Sequence, residues 1–263
     1  NDALIHEKIL ERGAFHCITH STGALVIRNW INRYYRLPHR KRKELPLRHL
    51  IMAAPANNGS RLASWGKKLP FDWGNRILKS LELASPISWA LNRAWMAESY
   101  HKLPHFIPSL LVGGNNDQDL PWYAEAADKL LDKFGLDMPV FEEAGSDNTV
   151  RGCAANLNMR YHLFEPGGTE PAFGHEMSGI PTWYFPQYSH AGKNQGMLRS
   201  IRTADNPVAK TVLEILRADS KKHPILAKQP ASLPPEYQFS MVNVRVVVSM
   251  AVRACAASFT SLV

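Results

Sequence analysis

The sequence has little cysteine. Cys17, Cys153 and Cys255 are the three in 263 residues, an odd number with no CxxC spacing. That excludes a disulfide framework and offers no zinc-ligand pattern, so packing is their expected role. Long hydrophobic runs are also missing. The apolar stretch "FSMVNVRVVVSMAVRACAASFTSLV" is interrupted by Arg245 and Arg253, which leaves no uncharged segment of about 18 residues for a membrane helix. No basic region followed by an apolar segment opens the chain, so no signal peptide is visible. The first residue is Asn1 rather than Met, and an upstream part is expected to be absent. There is no internal repeat and no groove-reading or aromatic-platform motif, and nucleic acid is not an expected partner. What the chain does have is 45% hydrophobic and 21% charged residues. This composition belongs to a soluble globular protein able to bury one large core or two modest ones, not to a disordered one.

Charge of one sign is concentrated. The formal net charge is +8, and Arg33, Arg36, Arg40, Lys41, Arg42 and Lys43 all fall within "RYYRLPHRKRK". Two readings stand side by side. The cluster is a solvated loop after a helix, where cations suit the negative end of the dipole, or it faces the headgroups of an anionic membrane surface.

The chemistry starts at "AFHCITHSTGALVIRNWI". Ala14 to Ile18 reads as a short buried strand, and Ala24, Leu25, Ile27, Ile31 and Tyr35 supply the apolar positions of a helix that follows at once. Ser21 therefore lies at a strand-to-helix turn between small residues, Thr19 and Gly23. A serine there is either the N-cap of an ordinary helix or a nucleophile on a sharp elbow, its Oγ exposed and the Thr22 N–H at the helix N-terminus ready to hold an oxyanion.

The elements downstream extend the pattern. "RHLIMAAPANNGS" is an apolar strand ending in a turn of Pro, Asn and Gly, and "FIPSLLVGGNND" is a second buried strand ended by glycines. "EEAGSDNTVRGCAANLNMRY" brings an aspartate after a polar turn, "TWYFPQYSHAG" brings a strand and then His190, and Pro207 to Ala218 reads as a helix. Serine, acid and histidine follow one another in the chain order of an α/β-hydrolase triad. Over residues 3 to 218 this colinear set resembles the lipase branch of the α/β-hydrolases, in particular bacterial triacylglycerol lipase-like and phospholipase-like proteins.

The resemblance implies a mostly parallel sheet with flanking helices and a helical lid or cap insertion. It implies Ser21 as nucleophile, His190 as general base and acid, Asp147 as the group orienting the imidazole, and Thr22 as an oxyanion donor. The acid has competitors in Asp117 and Asp119, directly after "PSLLVGG", where many α/β-hydrolases carry it. The histidine has competitors in His162 and His175, and the pair His175–Glu176 is too sparse for a metal site. Acyl transfer from a lipid or other apolar ester through an acyl-enzyme is the expected reaction. No cofactor or metal is required, and an alcohol replacing water would make the same site an acyltransferase.

Residues 61 to 105 interrupt the alternation of strands and helices and hold Trp65, Trp73, Trp89 and Trp95, four of the chain's seven tryptophans. They read as a lid over an acyl pocket or as cap helices belonging to the core. Only 20 residues precede Ser21, so the N-terminal part of the sheet is expected to be missing. The expected organisation is a partial hydrolase core over 1–218, a linker over 219–236 rich in Lys and Pro, and a C-terminal appendage over 237–263. The alternative to an enzyme is a non-catalytic lipid-binding or protein-interaction module derived from a hydrolase. Cytoplasm and export are both compatible with the sequence.

Overall fold

The computed structural model describes residues 8–9, 13–37, 44–66, 79–120, 124, 129, 132, 144–164, 171–177, 179–227, 244–245 and 258–259. Residues 40–43 of the basic cluster, 67–78 of the tryptophan-rich segment, Cys255 and nearly all of 228–263 lie outside the described residues. The side chains of Trp65, His162 and His175 do so as well.

The chain alternates strands and helices: β1 (Phe15–His20), α1 (Gly23–Tyr35), β2 (Leu47–Ala53), α2 (Arg61–Gly66), α3 (Pro86–Glu98), β3 (Ile107–Gly113), α4 (Gly152–Ala155), β4 (Met159–Phe164), β5 (Pro171–Met177), β6 (Thr182–Phe185), α5 (Met197–Ser200), α6 (Pro207–Arg217) and α7 (Pro224–Ala227). Strands β1, β2, β3 and β6 form one sheet in that order, every neighbouring pair parallel. β4 and β5 make a separate antiparallel hairpin, and Val244–Arg245 pairs with Ser258–Phe259.

The central strands are apolar on both faces, as a covered parallel sheet requires. Along β2, Leu50 and Met52 enter one core cluster with Ile27 and Ile31 of α1 and Trp95 of α3. Ile51 and Ala53, pointing the other way, enter a second with Val208, Val212 and Ile215 of α6. The sheet is thus covered by α1 and α3 on one side and by α6 on the other. Ser85 caps α3 by accepting from the Ser88 N–H, Asn206 caps α6 by accepting from the Val208 N–H, and each helix has Pro in its first turn, the sequence signals that start a helix.

Two features differ from a simple amphipathic reading. In α3 the tryptophan-rich segment turns inward: Trp95 is fully buried, with Leu91 and Met96 beside it, and its ring meets Phe106 edge-on at 6.1 Å. In α1 the buried face includes a charge, because Arg28 has no exposure at all. Its guanidinium donates to Asn57 Oδ1 at 3.1 Å and Asn92 Oδ1 at 2.6 Å, and lies 4.9 Å from the centre of the Trp95 ring. Burial pushes its pKa down to about 9, which still leaves it charged at neutral pH. No carboxylate pairs with it among the described residues. The amide oxygens and the ring face compensate for lost water instead. Asn57 and Asn58 in turn donate to the carbonyls of Ala155 and Ala154, so this one cation ties α1, the turn after β2, α3 and α4 together.

Arg28→Lys keeps the charge but cannot serve two amides and a ring with one rigid fork. Losing one charge-assisted bond should lower the unfolding free energy by about 1.5–3 kcal/mol, read as a lower urea midpoint at unchanged slope. A wild-type midpoint would contradict the role given to this residue.

Candidate active site

Ser21 follows the last residue of β1 and has φ 53°. A serine in the left-handed region is uncommon, costs of order 1–3 kcal/mol, and collects where surrounding structure over-determines it. Here its N–H donates to the Ala53 carbonyl at 3.1 Å, and its own carbonyl accepts from the N–H groups of Ala24 and Ala56. Ala54, one residue past the neighbouring strand, also has positive φ, 44°. The elbow is thus bonded to the end of β2 on one side and to the first turn of α1 on the other. Thr22 is the N-cap, in right-handed conformation with no side-chain cap bond, so Ser21 does not serve as a conventional N-cap. The first N–H groups of a helix point out of its end without intrahelical acceptors. Gly23 permits the tight return: a Cβ there would stand 3.2 Å from the Thr19 Cβ.

Asp147 and His190 come together. His190 Nδ1 is 2.9 Å from Asp147 Oδ2, and the His190 backbone N–H donates to the Asp147 carbonyl at 2.7 Å. Both residues are buried, with 3% and 2% exposure. The other carboxylate oxygen, Oδ1, accepts from the N–H groups of Val150 at 2.7 Å and Thr149 at 3.1 Å, which explains why a short polar turn and then a valine follow the aspartate. With Oδ1 occupied by the backbone, Oδ2 is left for the imidazole. Gly113, at the end of β3, makes room for both loops, since a Cβ there would lie 2.4 Å from the Tyr188 carbonyl and 3.0 Å from the Asp147 Cβ.

The other two acid candidates sit elsewhere. Asp117 is exposed and receives one long bond, 3.4 Å, from Asn148 Nδ2. Asp119 is buried and holds the histidine loop by its backbone: its carboxylate accepts from the N–H groups of Asn194 and Gln195, and its carbonyl from Ser189 Oγ at 2.6 Å. The hydroxyl of Ser21 has no hydrogen-bond partner among the described residues. What joins the serine's strand to the histidine is His20, whose Nε2 lies 2.9 Å from the His190 carbonyl and whose ring centre is 4.6 Å from the His190 ring centre.

Sequence reasoning missed His20 and Asn148, and it weighed Asp119 as a triad acid rather than as the group that holds the histidine loop. Asn148 is fully buried, also has positive φ, and bonds to Asn115 Oδ1 and the Asn116 N–H. A buried asparagine beside an aspartate carries no signal by itself, because its partners lie about thirty residues away. Cys17 packs against the core, and burial raises its thiol pKa, as suits an inert packing residue. Among the described residues no group of three or more His, Cys, Asp or Glu is placed to hold a metal ion, and no helix is long and apolar enough to cross a membrane.

No protein-family model and no curated protein matches the sequence. Solved structures do. Phospholipase PlaB from Legionella pneumophila, in complex with thio-NAD, is similar over 87% of this chain and 47% of its own, with 30% identity and a TM-score of 0.66. A further structure of that phospholipase is similar over 84% and 47%, with 31% identity and a TM-score of 0.62. The chain therefore spans about half the length of the phospholipase it resembles. Together with the parallel sheet, its flanking helices and the strand-end elbow, this likeness shows that the chain has a lipase/esterase-like α/β-hydrolase fold.

Proposed function

We propose that this chain carries the reacting centre of a carboxylic ester hydrolase acting on lipid esters, with Ser21 as nucleophile, His190 as base and acid, and Asp147 as the orienting carboxylate. The observation that carries the reading is the doubly bonded Asp147–His190 pair, held beside a strand whose next residue is a serine in the left-handed region. A serine placed merely to cap a helix needs neither that backbone nor a buried imidazole–carboxylate pair in reach of its strand.

Each step follows from the groups present. Ser21 Oγ attacks the ester carbonyl as His190 Nε2 takes its proton, while Asp147 Oδ2 fixes the Nδ1–H tautomer and stabilises the imidazolium that forms. The carbonyl oxygen, now an anion, meets the Thr22 N–H at the helix end and a second donor. Collapse expels the alcohol, which leaves with the proton from His190. Water, deprotonated by the same imidazole, then attacks the acyl-serine and releases the acid and the free serine. Lipid esters are the substrate class favoured by the likeness to a phospholipase. Anionic lipid surfaces suit the basic stretch that begins at Arg33 and Arg36.

A fluorophosphonate probe reports the activated serine directly. Wild-type protein should be labelled, and Ser21→Ala and His190→Ala should both abolish the signal on a gel. Labelling that survives either substitution would place the nucleophile or base elsewhere. The acid is tested by rate: Asp147→Asn should slow labelling by about 10⁴-fold, whereas Asp117→Asn should leave it unchanged. The reverse order would transfer the orienting role to Asp117.

A further inference from the structure

His20 immediately precedes the serine, and nothing in the acyl-transfer steps uses it. Its Nε2 faces a carbonyl oxygen, that of His190, at 2.9 Å. A carbonyl only accepts, so Nε2 carries a hydrogen and donates it. The two imidazoles are in tilted contact, with centres 4.6 Å apart and planes at 54°. Burial first, and the charge of His190 second, push the His20 pKa down to about 4, so near neutral pH the ring is uncharged and its Nδ1 is bare.

His190 is held at three points. Two of them, its N–H and its Nδ1–H, are bonded to Asp147 and belong to the acid loop. The third, its carbonyl, is bonded to His20 and belongs to the elbow strand. His20 itself cannot drift, because it pairs in register with Ala53 of β2 and its neighbour Ser21 is bonded to Ala53 and Ala56. The bonds to the acid loop set how the imidazole is turned. Of the three points, the third is the one that runs directly from His190 to the strand that carries the serine.

We propose that His20 is a positioning residue that joins the His190 loop to the Ser21 elbow, through the bond to the His190 carbonyl and through ring contact, so that nucleophile and base share one frame. The proposal rests on the triad reading above. An uncharged ring is also the right companion for His190, which becomes an imidazolium during acyl transfer and would be opposed by a second cation against its ring.

The test compares His20→Gln, whose amide N–H reaches the position of Nε2–H, with His20→Leu, which fills the space without a donor. Ser21→Ala serves as the reference. In saturation kinetics with the fluorophosphonate probe, His20→Leu should lower the limiting rate by about 10²-fold, the scale expected for a misplaced catalytic group, with half-saturation unchanged, and His20→Gln should restore most of it. The far-downfield proton resonance of the His190 Nδ1–H bonded to Asp147 gives a readout that needs no turnover. It should persist in wild type, Ser21→Ala and His20→Gln, and broaden away in His20→Leu. A His20→Leu protein with the wild-type limiting rate and a sharp resonance overturns the proposal, as does a His20→Gln protein no better than His20→Leu. Labelling that survives in Ser21→Ala would instead sink the triad reading, and the resonance would still decide whether His20 holds His190.

Discussion

The parallel pairing of β1 with β2 and of β2 with β3 is the constraint from which the site follows. Register places His20 opposite Ala53 and Ala53 opposite Leu111, and Gly113 opposite Phe185 of β6. The carboxyl ends of four strands therefore finish along one edge, the place where open α/β sheets bind their ligands. Each end contributes something different. β1 delivers Ser21 into the left-handed region, β2 accepts the serine's N–H at Ala53 while the turn after it returns a bond to the serine carbonyl from Ala56, β3 ends in a glycine that lets two loops approach, and β6 leads into the turn that carries His190. A slip of one residue in β1 would exchange Cys17, which faces the core, for Ile18, which is 43% exposed, and would carry the serine off the end of β2.

The interior around that edge is more polar than a hydrophobic core needs. Arg28, Asn57, Asn58 and Asn92 are all buried, and Asp119 is buried beneath the histidine loop. A buried polar network is weak evidence of stability but strong evidence of a required geometry, because each partner left alone would cost a full desolvation penalty. Arg28 fixes the helix that follows Ser21 against the turn that follows β2, and the same turn supplies the Ala56 N–H to the serine carbonyl. Asp119 gathers the N–H groups after His190. The two networks hold opposite sides of the proposed reacting pair, so the cost of the strained elbow is met by bonds some distance from it.

Much of this was legible in the sequence. The strands at 15–20, 47–53 and 107–113, the helices at 23–35 and 207–217 and the strand before His190 lie where periodicity and turn residues put them, because each is long enough and has covered faces. The turn at Thr-His-Ser-Thr-Gly stood out because small residues flank a serine between two different periods. What was not legible depends on distant partners. Asp117, Asp119 and Asp147 are chemically alike, and their separate surroundings come from loops that meet only in the fold. Arg28 falls four residues after Ala24 on the apolar stripe, a position that should have flagged a buried charge, but the amides that receive it are about 30 and 64 residues away in sequence. His20 carried no signal of its own because its acceptor lies 170 residues on. The tryptophan-rich segment carries the apolar content of both a lid and a core helix, and composition alone does not decide which way Trp95 faces.

The claim at the centre is that one serine takes an acyl group from an ester. Incubation with a slowly hydrolysed ester, acid quenching within the first turnover, and peptide mapping by mass spectrometry test it most directly. The account predicts the mass of the acyl group on the peptide that contains Ser21, lost again on longer incubation. Ester cleavage with no adduct on that peptide, or an adduct on another residue, would contradict it.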